Sequence, residues 1–201
     1  MIYNMDFLIS AMVILLLILW HFLGQKRAED LNNRVFLFFA VLGTADVVAE
    51  FFTNYYITSY NSDMENAAVI VTTIFYLLQA LLPVTFIFYI QTLHEQKIIS
   101  AKKMFISGVP TLVLISVILT NPFTEKLFSF DVTAGYVKGP WYLLMYVSAL
   151  GHFAVALLLI LLWRKKLGPQ KVKILLEIFV ISGVGVVLQM FCQSLLMTGF
   201  G

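Results

Sequence analysis

Apolar residues run along this chain in six blocks parted by short polar stretches. Each block approaches the ~20 residues that a helix needs to cross a bilayer. The blocks predict membrane spans at about Phe7 to Leu23, Val35 to Phe52, Ala67 to Leu93, Met104 to Thr120, Trp141 to Trp163 and Ile174 to Met197. The longest stretch that breaks the pattern is Asn121 to Trp141. Asn121-Pro122 opens it, Gly135 interrupts it and Gly139-Pro140 closes it, all residue pairs that favour turns. Its aromatics (Phe123, Phe128, Phe130, Tyr136 and Trp141) are too many for a solvated linker, so this loop is expected to pack as a folded lid over the bundle mouth.

Composition turns the pattern into a class. Hydrophobic residues make up 61% of the chain and mean hydropathy is +0.92, beyond the range of soluble domains. The expected fold is an all-α, polytopic transmembrane helical bundle, one domain over residues 1–201, in a cell membrane. The single cysteine, Cys192, excludes an intramolecular disulfide. The basic residues follow the first apolar run, the reverse of a cleavable signal peptide.

Charge orients the spans. Lys26, Arg27 and Arg34 follow the first, Lys97, Lys102 and Lys103 follow the third, and Arg164, Lys165, Lys166, Lys171 and Lys173 precede the last. Of the 13 basic residues only Lys126 and Lys138 fall in the other set of loops. The positive-inside rule places the N-terminus outside and the lid loop on the extracytoplasmic side. Tyr55, Tyr56, Tyr60, Trp141 and Tyr142 then mark the outer boundary, and Trp20 and Trp163 the inner one. Six spans from an outside start leave Gly199 to Gly201 outside, and the chain is expected to be a fragment lacking a seventh span.

Ionisable residues inside apolar spans are costly and each needs a reason. Asp46 and Glu50 are one helical turn apart on one face, so at least one is protonated or has a cationic partner. Ala45 and Ala49 beside them form a small-xxx-small pattern that admits a neighbouring helix and turns the carboxylates into the bundle. Counted at ~1.5 Å per residue, Asp46, Glu50, Gln79, His152 and Gln189 share a depth band that opens toward the lid. Five polar residues from four helices suit a pocket for a small ligand or lipid, or else a set of helix-packing hydrogen bonds. A lone His152 reads as a packing or proton-linked residue before a haem ligand. Pro83 is expected to kink the third span. Ser182, Gly183 and Gly185 thin the sixth span for close packing, and Glu177 is expected to reach Lys171 or Lys173.

Enzyme signatures are missing: there is no H-E-x-x-H motif, no patterned serine nucleophile and no Gly-rich phosphate loop. No metal, cofactor or nucleic acid is expected. The loop motif Asn121-Pro122, Leu127-Phe128, Phe130-Asp131, Gly135-Tyr136, Lys138-Gly139-Pro140-Trp141 and then Tyr146 resembles the N-terminal multi-span membrane sensor region of bacterial GGDEF-type diguanylate cyclases. It is similar also to the seven-span input region of some histidine kinases. Ala28-Glu29-Asp30-Leu31-Asn32-Asn33-Arg34, leading into a span with Asp46, resembles the same cyclases. The resemblance implies a sensory input domain in a bacterial cytoplasmic membrane, a cytoplasmic output domain in cis and a homodimer. It assigns no catalytic residue here, because neither a GGDEF nor a kinase motif occurs. Asn121, Pro122, Phe128, Tyr136, Gly139, Pro140 and Trp141 are its lid positions. The alternative is a small proton- or cation-coupled transporter using Asp46 and Glu50; an intramembrane enzyme ranks last.

Overall fold

The computed structural model describes residues 5–24, 30–95, 101–131 and 135–191, and the side-chain surroundings of all of these except 5–8, 101–106 and 181–191. Among them are six α-helices: α1 (Met5–Gly24), α2 (Leu31–Thr58), α3 (Glu65–Glu95), α4 (Ala101–Thr124), α5 (Leu143–Leu167) and α6 (Pro169–Phe191). Among the described residues, four segments are long and apolar enough to cross a membrane: Leu31–Thr58, Ser62–Glu95, Ser107–Thr124 and Leu143–Leu167. Ile9–Gly24 is apolar but shorter. The outward faces carry Leu112, Val113, Leu119, Val147, Leu158 and Leu162 exposed, a surface suited to lipid and not to water.

Helix ends follow local chemistry. Asp30 caps α2, its carboxylate accepting from the Asn33 amide at 2.8 Å, and Asn61 caps a short 3₁₀ turn (Ser62–Met64) before α3. Inside the helices, the buried Thr44, Thr73 and Thr85 each donate to the carbonyl four residues back, which satisfies their hydroxyls within the bundle. The helix α3 is continuous across Pro83. Near the start of α6, Lys173 and Glu177 approach to 3.9 Å on an exposed face, a pairing that contributes little to stability.

Helix α3 is central, touching α2, α4 and α5, while α1 packs on α2 and α6 on α5. Two apolar cores lie along it. One, at one end of the bundle, gathers Phe75, Tyr76, Leu114, Ile118, Leu127, Phe128 and Tyr142. The other gathers Phe86, Ile87, Ile90, Ile160, Leu167 and Leu175 toward the opposite end.

The loop over residues 121–141 departs from expectation in two ways. First, Asn121 to Thr124 are the last turn of α4, with Pro122 inside it. This late in a helix the proline removes only the bond to the Ile118 carbonyl. The Glu125 amide then donates to the Asn121 carbonyl at 2.8 Å, and Glu125 closes the helix in a left-handed conformation (φ 52°). Second, the fold is not purely helical. Phe128–Asp131 (β1) and Gly135–Lys138 (β2) pair antiparallel, with Phe128 opposite Lys138 and Phe130 opposite Tyr136. Alternation along strands puts Phe128, Phe130 and Tyr136 on one face, and that face turns onto the bundle. Phe123, in contrast, is 89% exposed.

Candidate functional site

The hairpin is anchored by one buried side chain. Asn121 is 1% exposed; its carboxamide oxygen accepts from the amides of Leu127 (2.7 Å) and Phe128 (3.3 Å), and its nitrogen donates to the Phe128 carbonyl at 2.9 Å. An amide side chain is needed because this spot requires donor and acceptor together. The other flank closes through backbone bonds, Gly139 amide to Leu127 carbonyl and Trp141 amide to Lys126 carbonyl, both 2.8 Å. A Cβ on Gly139 would stand 2.2 Å from the Lys126 oxygen, so only glycine fits. Lys126 lies over the Trp141 ring (4.3 Å) and Lys138 over the Tyr142 ring (5.1 Å). Burial pushes the Lys138 ammonium below the usual lysine range. Pro140 sits in the turn before α5, exposed.

Beneath the hairpin, aromatic rings run into the bundle. Phe130 stacks on Tyr60, and Phe128 packs between Tyr76 and Tyr136. The Tyr136 and Tyr76 hydroxyls are 2.6 Å apart. The Tyr142 ring in turn packs edge-on against Tyr76 and Tyr146, with centroids 6.2 and 5.6 Å apart. Four tyrosines therefore link β2, α3 and α5 in one chain of contacts, a hydroxyl pair at the hairpin end and ring packing below it.

That chain ends at a cavity of about 240 Å³ between the two apolar cores. Asp46, Gln79, Tyr142, Tyr146, Ser148 and His152 are its polar lining; Phe39, Phe86, Phe153, Ala156 and Ile178 are among its apolar walls. The helices are sequentially antiparallel, which fixes the order of these groups along the bundle. Asp46, Gln79, Tyr142 and Tyr146 lie toward the hairpin, and Phe39, Phe86, Ala156 and Ile178 about two turns or more deeper. Pro83 also lines the cavity, and because it lacks an N–H it leaves the Gln79 carbonyl without its helical donor.

The five expected pocket residues divide. Asp46, Gln79 and His152 meet at the cavity. Glu50, one turn nearer the hairpin and half-buried, does not line it. The side chain of Gln189 lies outside the described residues, as do Cys192 and Gln193. His152 is held at both nitrogens: Nδ1 is 2.7 Å from the Ser148 carbonyl and Nε2 is 2.9 Å from the Thr111 hydroxyl. A carbonyl can only accept, so Nδ1 carries a proton; in the neutral ring Nε2 then accepts from Thr111. This ring couples α4 to α5. Asp46 is different: its Oδ1 is buried, with no hydrogen-bond partner in the protein. Among the described residues, no three of His, Cys, Asp and Glu gather as a metal site.

Sequence reasoning did not single out Tyr76, and it gave Tyr142 only an interfacial role. A tyrosine in an apolar span carries a hydroxyl that must find a partner, and that was the available signal. No family model, curated protein or solved structure matches the chain.

Proposed function

We propose that this chain is the sensory input region of a bacterial membrane signalling protein, in which a small ligand enters the bundle cavity and biases a cytoplasmic output domain. The observation that carries the reading is the continuous path of tyrosine contacts from cavity to hairpin, Asp46 and Tyr146 at one end and Tyr136 at the other. A ligand that displaces Tyr146 or Tyr142 changes the ring packing against Tyr76 and so the seat of the hairpin. The same shift tilts α5 against α6, the helix pair at whose junction Arg164, Lys165, Lys166, Lys171 and Lys173 cluster.

In this reading all six helices span the membrane, the N-terminus and the hairpin face outside, and a homodimer carries a diguanylate cyclase or, next, a histidine kinase output. Support for the orientation comes from the lysines and arginines at the α5–α6 turn, at the end of α5 away from the hairpin. The transporter alternative wants Asp46 and Glu50 in one site, and only Asp46 lines the cavity.

The test is the full-length gene product, purified and reconstituted in nanodiscs, assayed with GTP for cyclic-di-GMP synthesis and with ATP for autophosphorylation. One of these activities is expected, and Ala149→Phe, which fills the cavity, should fix its rate regardless of added extract metabolites. A full-length protein with neither activity nor an output domain refutes the reading.

A further inference from the structure

We propose that the cavity recognises a small amphipathic amine, its ammonium paired with Asp46 and its apolar body lying toward Phe86, Phe153 and Ile178. This rests on reading the cavity as a ligand site. A buried carboxyl oxygen without a partner is a rare and costly feature that a bound group would relieve. No lysine or arginine is among the lining residues, and His152 already has both nitrogens engaged by Thr111 and Ser148. Among the described residues the cavity thus offers Asp46 no cationic partner, and the complementary charge must arrive with the occupant.

The walls fit the same occupant. Phe39, Phe86, Tyr142, Tyr146 and Phe153 present ring faces or edges, and an aromatic lining favours a cation over an anion. The polar groups sit toward the hairpin end and the apolar ones deeper, so the head of the ligand faces the tyrosine chain. At about 240 Å³ the cavity is smaller than the ~300–1,000 Å³ typical of sites for drug-sized molecules. An arylalkylamine of about ten non-hydrogen atoms is the scale that fits.

The experiment is isothermal titration calorimetry of the protein in nanodiscs, with empty nanodiscs as blank. Three probes share one shape: 2-phenylethylamine, the neutral 2-phenylethanol and the anionic 3-phenylpropionate. The amine is expected to bind at least about tenfold more tightly than the alcohol, the margin of a charge-assisted bond over a neutral one. The acid is expected not to bind. Asp46→Asn should reduce the amine to the affinity of the alcohol while leaving the alcohol unchanged. Ala149→Phe, which keeps Asp46, should abolish the amine heat, so the test stands even where Asp46→Asn fails to fold. Equal or tighter binding of the alcohol or acid, amine binding that survives either substitution in folded protein, or no binding of any probe overturns the amine assignment. Binding of the alcohol alone, abolished by Ala149→Phe, overturns the amine and supports the cavity as a ligand site. The sensory reading itself is decided by the output assay on the full-length protein.

Discussion

Replacing Asn121 by alanine removes the hairpin's anchor and nothing else of size. The side chain makes two short bonds, 2.7 Å from the Leu127 amide and 2.9 Å to the Phe128 carbonyl, and one long bond of 3.3 Å. Leu127 and Phe128 are 0% and 1% exposed, so water cannot replace the lost partners without opening the hairpin. A buried group left unsatisfied costs about 1–3 kcal/mol, and two such groups put the local cost at about 2–6 kcal/mol. A local destabilisation of that size corresponds to about a 30- to 20,000-fold acceleration of amide exchange. Hydrogen exchange with mass spectrometry on nanodisc-embedded protein reads it directly. Peptides covering 126–131 and 135–138 should speed up by that factor, while peptides from the middle of α3 keep the wild-type rate. Asn121→Asp retains the acceptor for Leu127 but sets an oxygen against the Phe128 carbonyl, and should recover only part of the protection. Unchanged exchange in the hairpin, or equal acceleration throughout the protein, would refute the claim that Asn121 holds the hairpin to α4.

Further outcomes follow from the same contacts. A double-mutant cycle with Tyr76→Phe and Tyr136→Phe should give a coupling of about 0.5–1.5 kcal/mol in chemical unfolding, since the 2.6 Å bond is lost once either hydroxyl goes; zero coupling would break the phenol chain at its first link. Gly139→Ala forces a Cβ toward the Lys126 oxygen and should destabilise by about 1–3 kcal/mol in thermal unfolding, whereas a melting point equal to wild type would show that the turn yields freely. Thr111→Val strands His152 Nε2 and should cost about 1–3 kcal/mol; pairing it with His152→Leu should recover part of that loss, and strict additivity of the two would count against the bond. In a Cys192→Ser background, Lys126→Cys should react with a membrane-impermeant maleimide on intact cells and Lys166→Cys only after lysis; the reverse would invert the proposed topology.

Much of the architecture was legible because membrane physics writes it plainly. Uninterrupted apolar runs and punctuating polar loops located all six helices, with edges shifted by a few residues where caps and turns intervene, as at Asp30 and Trp141. Depth counting along antiparallel helices set Asp46, Glu50, Gln79, His152 and Gln189 in one band; Asp46, Gln79 and His152 line the cavity, Glu50 does not, and the side chain of Gln189 lies outside the described residues. The hairpin was harder to see, because its strands are only four residues long and their alternation is hidden by aromatic residues and by the proline in the last turn of α4.

What the sequence determined by itself is therefore axial: which segments are helical, how far along its helix each polar residue sits, and at which end the basic residues of α5 and α6 gather. Those properties depend on rise per residue and on hydropathy, both local. What only the tertiary structure decided is azimuthal. The rotation of α2 turns Phe39 and Asp46 to the cavity and leaves Val41 exposed. Tyr76, Tyr136, Tyr142 and Tyr146 are spread over three elements and meet only once α3, α5 and the hairpin are packed. The rotation of each helix about its axis is set by how side chains from several helices interlock, and that sum of many weak, distant contacts is not contained in any one segment.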